Sequence, residues 1–279
     1  MEKNKKEEEL KRLQELLAKN MARISAKILV LSNKGGVGKS VVAVNMAVCL
    51  SRKGARVGLV DADMHGPSVP KMLGFEGKKM RAGPLGISPF PVNSNLGVIS
   101  MSSLLESPDV PIIWRGPLKM NALKQFLAEV NWGERDYLIV DSPPGTGDEP
   151  LSVCQLIRDL TGAIIVTTPQ DVALLDSRKC VSFLRELSTP IFGILENMSG
   201  MKCPHCGKDI FLFKTGGGEK AAREFGIPFL GRIPFDLRIV ESTDDGKPFV
   251  EAYPDSEASK VIEKICQSID EKVRKEVVS

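Results

Sequence analysis

The sequence predicts an α/β protein, a single domain built on a doubly wound and mostly parallel β-sheet. Short apolar segments typical of buried strands alternate with longer segments of helical periodicity, the order that gives a parallel sheet covered by helices on both faces. A glycine-rich turn lies between the first strand of this series and the helix that follows it, where α/β proteins bind phosphate groups. With 279 residues, 42% of them hydrophobic, the chain has enough apolar material for one large core.

Each predicted element follows from a local pattern of apolar residues. An amphipathic helix is predicted first, at residues 5–22, and we expect it to lie outside the main core, in an N-terminal extension covering residues 1–24. The domain covers residues 25–279, and its segment 76–95, rich in glycine, proline and serine, predicts an exposed loop. Strands are predicted at residues 27–32, 56–61, 97–101, 136–140, 163–168, 191–196 and 228–232. Helices are predicted at residues 39–53, 117–130, 149–160, 170–187, 217–225 and 255–276.

The glycine-rich turn after the first predicted strand has the composition of a phosphate-binding loop. Gly35, Gly36 and Gly38 let the backbone bend tightly, so that successive N–H groups point at phosphate oxygens. Lys39 supplies a positive charge to the β- and γ-phosphates, and the Ser40 hydroxyl is suited to bind Mg²⁺. The sequence therefore predicts a nucleotide site at this turn.

Two departures from the common loop pattern G-x-x-x-x-G-K-[ST] lie at the front of the turn. Asn33 stands where that pattern has its first glycine. Lys34 adds a second lysine, which is placed to reach the phosphates of a nucleotide held by a second subunit when two chains close face to face. The alternative interpretation of Lys34 is a solvated lysine in an exposed loop.

Acidic residues follow two other predicted strands, at the sheet edge where open parallel sheets bind their ligands. Asp141 ends an apolar strand, the usual position of the carboxylate that orients Mg²⁺ through a water molecule. Gly145 and Gly147 would allow a backbone N–H to approach the γ-phosphate and so distinguish ATP from ADP. Asp61 and Asp63 follow another strand. Either would also suit the cap of the next element, and Asp63 is our candidate for positioning the attacking water.

The six cysteines fall into two groups. Cys203 and Cys206 form a Cys-x-x-Cys turn in an insertion at residues 201–208, and in a reducing compartment such a pair indicates a metal or redox site. Zinc and cubane iron–sulfur clusters both favour four cysteine ligands, so we expect the missing pair from the same turn of a symmetry-related copy. An intramolecular disulfide is the less favoured alternative, because no strand–helix redox context surrounds the pair. The other cysteines have the setting of small core residues: Cys49, Cys154, Cys180 and Cys266.

Charge and hydropathy argue against several classes of partner. The net charge of +3 is small and the charged residues are interspersed, which argues against nucleic acid. No apolar segment of the sequence approaches the length of a membrane span, and the N-terminus lacks the apolar segment of a signal peptide, so we expect a cytoplasmic location. The predicted helix at 255–276 has an apolar stripe, but its polar face mixes acidic and basic residues, which favours packing on the sheet over binding to a membrane.

These motifs together resemble one family over residues 26–250. The segment from Lys34 to Ser40 is similar to the deviant Walker A loop of the MinD/Mrp class of P-loop NTPases, of the SIMIBI type, which also includes ParA and the nitrogenase iron protein. Some eukaryotic relatives carry a further N-terminal cysteine cluster, and residues 1–48 of this chain contain no cysteine. Further segments resemble the Mrp/ApbC iron–sulfur carrier branch of that class, and they are 61–70, 141–148, 168–170, 196–199, 203–206, 217–220 and 233–238.

The resemblance implies a homodimeric ATPase that carries a labile 4Fe–4S cluster between its subunits and passes it to apo iron–sulfur proteins, with cluster-assembly scaffold proteins as further partners. It implies that Lys34 acts in trans, that Asp63 supports hydrolysis and that Asp141 is the Walker B carboxylate. Cys203 and Cys206 would ligate the cluster, and the lack of an Asn-Lys-x-Asp guanine motif agrees with ATP over GTP. The residues implied to bind ATP and Mg²⁺ are Gly35, Gly36, Val37, Gly38, Lys39, Ser40 and Val41 at the phosphate loop, with Asn197, Pro234 and Asp236 around the adenine.

Two other functions would use many of the same residues. A positioning or partition ATPase of the MinD/ParA kind would bind a membrane or DNA as an ATP-bound dimer, and it has no use for the Cys-x-x-Cys turn. A zinc-bridged dimeric ATPase would use the same four sulfur atoms. The cysteine pair therefore favours the carrier over the partition ATPase, and the choice between an iron–sulfur cluster and zinc stays open at this point.

Overall fold

Strands and helices alternate along most of the chain. The computed structural model describes residues 2–64, 66–84, 86–104, 116–170, 173–203 and 205–278. The strands are β1 (Ile24–Leu31), β2 (Val57–Asp61), β3 (Arg81–Gly83), β4 (Gly86–Ser88), β5 (Phe90–Asn93), β6 (Leu96–Ser100), β7 (Arg135–Asp141), β8 (Gly162–Thr167), β9 (Ile191–Glu196), β10 (Met201–Lys202), β11 (Asp209–Ile210) and β12 (Phe229–Arg232). The α-helices are α1 (Glu2–Met21), α2 (Lys39–Arg52), α3 (Val69–Met72), α4 (Gly116–Glu129), α5 (Asp148–Leu156), α6 (Ala173–Glu186), α7 (Gly217–Phe225), α8 (Leu237–Asp244), α9 (Phe249–Ala252) and α10 (Glu257–Val278).

Eight of these strands form one sheet, in the order β12-β9-β8-β1-β7-β2-β6-β5. Neighbouring strands are parallel except at one edge, where β5 runs antiparallel to β6, so the predicted fold class is confirmed. The register sets Asp61 at the end of β2 beside Asp141 at the end of β7, and Val30 of β1 lies on the other side of Asp141. The carboxyl ends of three adjacent strands therefore meet where the phosphate loop begins.

Two apolar cores, one on each face of the sheet, account for the doubly wound arrangement. Side chains of β1 alternate between them, with Ile28 and Val30 in the first core and Leu29 and Leu31 in the second. The first core is covered chiefly by α2 and α10, and the second by α1, α4, α6 and α7. Because such strands are buried on both faces, they appear in the sequence as continuous apolar runs rather than as an alternating pattern.

The N-terminal helix is more closely integrated than the sequence predicts. Helix α1 packs against α4, and its Leu17 and Met21 are buried in the second core. The Asn20 side chain donates hydrogen bonds to the carbonyl oxygens of Ala128 at 2.7 Å and Val130 at 2.8 Å. The expectation of a helix outside the core was wrong, because its packing partner lies 108 residues away in the sequence and leaves no local signal.

Residues 76–95 do not form the exposed loop that their composition predicts. Strands β3 and β4 make an antiparallel hairpin, and β5 adds an edge strand to the main sheet. Gly86 has a φ of +107°, and a Cβ there would lie 2.2 Å from the Glu129 carbonyl oxygen. The Phe90 ring stacks on Phe75 with centroids 4.3 Å apart, which holds this edge against the first core. The prediction of a loop was wrong, because glycine here permits a close backbone approach rather than an irregular chain, but β3 is exposed as predicted.

The C-terminal helix α10 is packed on the sheet, as predicted. Among the described residues, no helix is long and apolar enough to cross a membrane. The short helices α3, α8 and α9 were not predicted. Helix α6 is described from Ala173, so residues 171 and 172 of the predicted helix at 170–187 lie outside the described residues. The α10 side chains buried in the first core are Ile262, Ile265, Ile269 and Val273.

Candidate functional site

The phosphate loop begins after β1 and ends at the first residue of α2. Gly36 and Gly38 have φ values of +76° and +83°, in the left-handed region that residues with a side chain rarely adopt. A Cβ at Gly38 would also lie 2.2 Å from the side-chain nitrogen of Asn197. That nitrogen donates a hydrogen bond to the Val37 carbonyl oxygen at 2.9 Å. Glycines thus shape this loop, and one asparagine from the end of β9 fixes it.

Lys39 and Asp141 form a buried ion pair beside the loop. Lys39 Nζ lies 2.5 Å from one carboxylate oxygen of Asp141 and 3.3 Å from Ser40 Oγ. The Lys39 side chain is 7% exposed and that of Asp141 is fully buried. Burial raises the pKa of Asp141 above its ordinary value, and the positive charge of Lys39 opposes that rise.

The second carboxylate oxygen of Asp141 is buried and has no hydrogen-bond partner within the described part of the chain. Buried polar atoms normally have a partner, so this orphan oxygen marks a position where a further group belongs. Mg²⁺ prefers oxygen ligands. The Ser40 hydroxyl and the Asp141 carboxylate both contact the amino group of Lys39, so these two oxygen ligands lie close together. The residues present therefore fit a magnesium ion held by Ser40 and by Asp141, directly or through water.

Asp61 is a second fully buried carboxylate at this edge of the sheet. Burial, with the neighbouring charge of Asp141, raises the pKa of Asp61 to about 8. Its carboxylate accepts hydrogen bonds from Ser100 Oγ at 2.9 Å and from the Asp63 backbone N–H at 3.3 Å. The half-buried Asp63 in turn accepts a hydrogen bond from the Gly66 N–H at 3.1 Å. Asp61 therefore fixes the start of the loop that carries Asp63.

Lys34 is paired with helix α6. Its Nζ lies 2.8 Å from one carboxylate oxygen of Asp176, and the Asn33 side chain donates a hydrogen bond to the other oxygen at 2.8 Å. Both residues that depart from the common loop pattern therefore bind the same carboxylate. The Lys34 side chain is 52% exposed, so it is accessible to another molecule. Asp176 is a site residue that the sequence did not identify, because it lies 143 positions from Asn33.

The loop after β7 lies directly against the phosphate loop. The Gly145 N–H donates a hydrogen bond to the Ser32 carbonyl oxygen at 2.8 Å, with a φ of +98° at Gly145. Gly147 stands at the N-cap of α5. The structure thus brings the predicted nucleotide-sensing loop and the phosphate loop into contact.

A cavity of about 180 Å³ adjoins the first turn of α2. The residues predicted to surround adenine, Asn197, Pro234 and Asp236, all line it, together with Val41. The Asp236 carboxylate caps α8 and binds Arg238 at 2.6 to 3.0 Å, and these bonds lower the pKa of Asp236. Other apolar residues that line the cavity were not identified from the sequence, because separate elements contribute them. They include Val42, Met198, Ile233, Phe235 and Ile239.

The Cys-x-x-Cys turn lies at the end of the β10–β11 hairpin. The Cys203 N–H donates a hydrogen bond to the Lys208 carbonyl oxygen at 2.8 Å, and the Gly207 N–H donates to the Cys203 carbonyl oxygen at 2.9 Å. Cys203 is partly exposed and Cys206 is exposed. Hydrogen bonds from the backbone of Cys206 and His205, and from the Cys206 thiol, lower the pKa of Cys203. A lowered pKa favours the thiolate, the form that binds metals.

The hairpin supplies only part of a metal site. Across the described ranges, no group of three or more histidine, cysteine, aspartate or glutamate side chains within one chain is arranged to hold a metal ion. A site with four thiolates therefore requires a second polypeptide. The other cysteines pack in or against the two cores, as predicted: Cys49, Cys180 and Cys266 are buried and Cys154 is half-buried.

Glu196, which ends β9, has a place at this site that the sequence did not reveal. It is completely buried, and its carboxylate accepts hydrogen bonds from Ser199 Oγ and from the N–H groups of Gly216 and Gly218. It therefore joins the two ends of the segment that carries the cysteines. The available signal was an acidic residue at the end of an apolar strand, followed by a run of three glycines.

Comparison with known proteins places the chain among P-loop NTPases. Residues 23–270 match the family model described as NUBPL iron-transfer P-loop NTPase, of the ParA group, and this match covers most of the chain. The chain belongs to the NUBPL iron-transfer P-loop NTPase family. The family predicted from the deviant Walker A loop and the Cys-x-x-Cys turn is thereby confirmed.

Curated relatives of this family member share about half of its residues. It is 50% identical over 257 residues to an iron–sulfur cluster carrier protein of Methanocaldococcus jannaschii, which covers 92% of this chain and 88% of the relative. It is 49% identical over 240 residues to an iron–sulfur cluster carrier protein of Saccharolobus solfataricus, covering 86% of this chain and 81% of the relative.

Solved structures resemble the fold of this family member. A nucleotide-binding protein from Archaeoglobus fulgidus, in complex with ADP, matches with a TM-score of 0.75 and 36% identity, over 84% of this chain and 92% of that protein. The cell division ATPase MinD of Pyrococcus furiosus matches with a TM-score of 0.65 and 23% identity, over 88% of this chain and 99% of that protein. At that identity the second likeness supports the fold alone.

Proposed function

We propose that this chain binds and hydrolyses ATP and acts as an iron–sulfur cluster carrier, which assembles a 4Fe–4S cluster between two copies and transfers it to apo-proteins. The observation that carries the proposal is the presence of two unlike sites, a phosphate loop with a buried Lys39–Asp141 ion pair and a pair of cysteines at or near the surface that supplies two of four ligands. Family membership and the two relatives named as iron–sulfur cluster carriers support the same function.

ATP binding begins with an exchange of partners at Lys39. The β- and γ-phosphates carry more negative charge than Asp141, so Lys39 leaves the carboxylate and binds them. Backbone N–H groups of the loop from Gly35 to Val41, at the N-terminus of α2, bind the remaining phosphate oxygens. Asp141 and Ser40 are then free to hold Mg²⁺, which neutralises phosphate charge when bound.

Hydrolysis requires a water molecule aligned with the γ-phosphate, and we assign its positioning to Asp63. Lys34 of the second copy supplies positive charge where negative charge develops on the phosphate. In the isolated chain Lys34 pairs with Asp176, and because half of the Lys34 side chain is exposed to solvent this ion pair can be exchanged for phosphate. Because Lys34 acts from the other copy, we expect slow turnover in a single chain.

We assign the adenine base to the cavity beside α2. We assign Asn197 two roles. It contacts the base, and its side-chain N–H binds the Val37 carbonyl oxygen of the phosphate loop. Pro234 contributes an apolar wall. The Asp236 carboxylate is engaged by Arg238, so we expect the backbone of this loop, rather than that carboxylate, to recognise the base.

The cluster is cargo, held by Cys203 and Cys206 from each of two copies. The lowered pKa of Cys203 increases the share of its sulfur in the thiolate form, which is the form that binds a cluster. Exposure of the hairpin suits a carrier, because the recipient must reach the cluster. We infer that the partners are apo iron–sulfur proteins and cluster-assembly scaffold proteins, and that the thiolate pair works in the reducing cytoplasm.

Anaerobic reconstitution with iron and sulfide tests this function. The parent protein is expected to gain the brown visible absorption of a cluster, and Cys203→Ser and Cys206→Ser are each expected to lose it. Cys154→Ser is the matched control, because that half-buried cysteine lies outside the hairpin, and it should remain brown. All variants should still bind ATP.

Two results would contradict the carrier function. If neither hairpin substitution removes the chromophore, the cluster is held elsewhere. If protein purified without oxygen contains zinc and never takes up sulfide, the same four sulfur atoms form a zinc-bridged dimer instead.

A further inference from the structure

A single buried carboxylate connects the two ends of the segment that carries the cysteines. Glu196 is completely buried at the end of β9. Its Oε1 accepts hydrogen bonds from Ser199 Oγ at 2.5 Å and from the Gly216 N–H at 3.0 Å, and its Oε2 accepts one from the Gly218 N–H at 2.6 Å. Arg232 Nε lies 3.3 Å from Oε1. The carboxylate thus binds the outgoing end of the cysteine segment, its returning end and the neighbouring strand β12.

Glycines at the returning end let the backbone pack closely against Glu196 and against the neighbouring Pro169. A Cβ at Gly218 would lie 3.0 Å from Glu196 Cβ, and a Cβ at Gly217 would lie 2.6 Å from the Pro169 carbonyl oxygen. The N-terminus of α7 therefore approaches the carboxylate as closely as backbone can. Charge-assisted hydrogen bonds to a buried carboxylate are strong, so these contacts make the base of the segment rigid.

The residues directly after Glu196 contact the nucleotide site. The Asn197 side chain binds the Val37 carbonyl oxygen of the phosphate loop. The Ser199 N–H donates a hydrogen bond to the Ile233 carbonyl oxygen at 3.0 Å, and the Phe235 N–H donates to the Gly200 carbonyl oxygen at 2.7 Å. Ile233 and Phe235 line the cavity assigned to the base. Five consecutive residues, 196–200, therefore join the phosphate loop, the base cavity and the start of the hairpin.

We propose that Glu196 is the positioning residue through which the bound nucleotide controls the placement of Cys203 and Cys206. It fixes both ends of the cysteine segment. A shift of residues 197–200 on nucleotide binding therefore moves the hairpin as one unit and does not distort the segment where it joins the sheet. The inference rests on the proposed function in one respect, namely that a nucleotide and this thiolate pair act in the same protein.

Thiol labelling of the cluster-free protein tests the proposal. Cys203 and Cys206 are alkylated in brief pulses with N-ethylmaleimide and quantified by peptide mass spectrometry, with and without a non-hydrolysable ATP analogue and Mg²⁺. For the parent we expect the analogue to slow labelling by about fivefold or more, the range of typical allosteric coupling. For Glu196→Gln, which keeps the side-chain size, we expect a change below about twofold, with the affinity for the analogue within about threefold of the parent.

Two further variants separate coupling from general destabilisation. Glu219→Gln is the matched control: Glu219 also pairs with Arg232 but is partly exposed, and its side-chain partners among the described residues are Arg223 and Arg232, so this variant should keep the full nucleotide effect. Ser199→Ala removes one donor and leaves the carboxylate its other partners, so it should fold even if Glu196→Gln does not, and it should lose part of the effect.

Full nucleotide dependence in Glu196→Gln or in Ser199→Ala would overturn the proposal, as would labelling of the parent that ignores the nucleotide. The carrier function is judged separately, by the absorption of reconstituted protein without nucleotide. A brown parent combined with unchanged labelling in Glu196→Gln would reject this inference alone. A colourless parent whose labelling depends on Glu196 would reject the carrier function alone.

Discussion

At the phosphate loop, Lys39 and Asp141 are buried and bound to each other, whereas at the hairpin Cys203 and Cys206 lie at or near the surface. The first site is nearly complete within one chain and has one orphan carboxylate oxygen to offer a magnesium ion. The second has two ligands where a cluster or zinc ion needs four. From this contrast we infer that one chain can form the nucleotide site, and we propose that a pair of chains is needed to bind the cluster.

The largest effect on the difference between the two sites is expected from Lys39→Ala, which should weaken ATP binding without removing the cluster ligands. It removes the charge that the phosphates bind and leaves Asp141 buried without its positively charged partner, so we expect the Kd for ATP to rise at least about 100-fold. Calorimetric titration with ATP measures the loss. Lys53→Ala, an exposed lysine just past the end of the same helix, should bind ATP like the parent. Cluster absorption that disappears with Lys39→Ala would show that the two sites are not separable.

The substitution Asn197→Ala tests a residue that lies between the phosphate loop and the cysteine hairpin. It removes the hydrogen bond to Val37 and part of the cavity wall, so we expect ATP to bind about tenfold more weakly. The same titration applies, and Asn95→Ala is the control, because its amide binds the Ser51 carbonyl oxygen away from the cavity. Unchanged affinity in Asn197→Ala would remove this residue from the base site.

The smallest expected effect concerns Asp61 and the pH dependence of stability. Its pKa of about 8 in the folded chain exceeds the ordinary value of 3.8, so the folded state keeps a proton that the unfolded state releases. The free energy of unfolding should therefore fall as pH rises from about 4 to about 8. Because Asp61→Asn cannot titrate, it should gain on the parent by about 1 kcal/mol between pH 7 and pH 8. Denaturant unfolding of nucleotide-free protein measures the gain, and parallel curves would refute the raised pKa.

Much of the predicted nucleotide site could be found because each of its segments carries a local signal in the sequence. The loop from Gly35 to Ser40 and the strand ending in Asp141 each carry their own signal, an apolar strand followed by a glycine-rich or acidic turn. The chain order of strands and helices predicted the parallel sheet for the same reason. These local patterns determine where each element ends, and the sheet then brings those ends together.

The contacts that could not be predicted join residues distant in the sequence. Asp176 holds Lys34 from a helix more than a hundred residues away, and α1 docks on α4 across a similar separation. The charge-rich pattern of α1 and the glycine-rich pattern before β5 both predicted exposure, because neither reveals a packing partner. Glu196 escaped notice for the same reason: its three hydrogen-bond donors come from two segments that meet only in the folded chain.

The most direct test of the account is the stoichiometry of the reconstituted protein, measured by native mass spectrometry together with iron and sulfide analysis. The account predicts a dimer that holds one 4Fe–4S cluster, with about two irons and two sulfides per chain. It also predicts that Cys203→Ser leaves neither cluster nor cluster-bridged dimer. A monomer that carries a complete cluster, or a dimer that carries two, would contradict the claim that two chains are needed to form the cluster site.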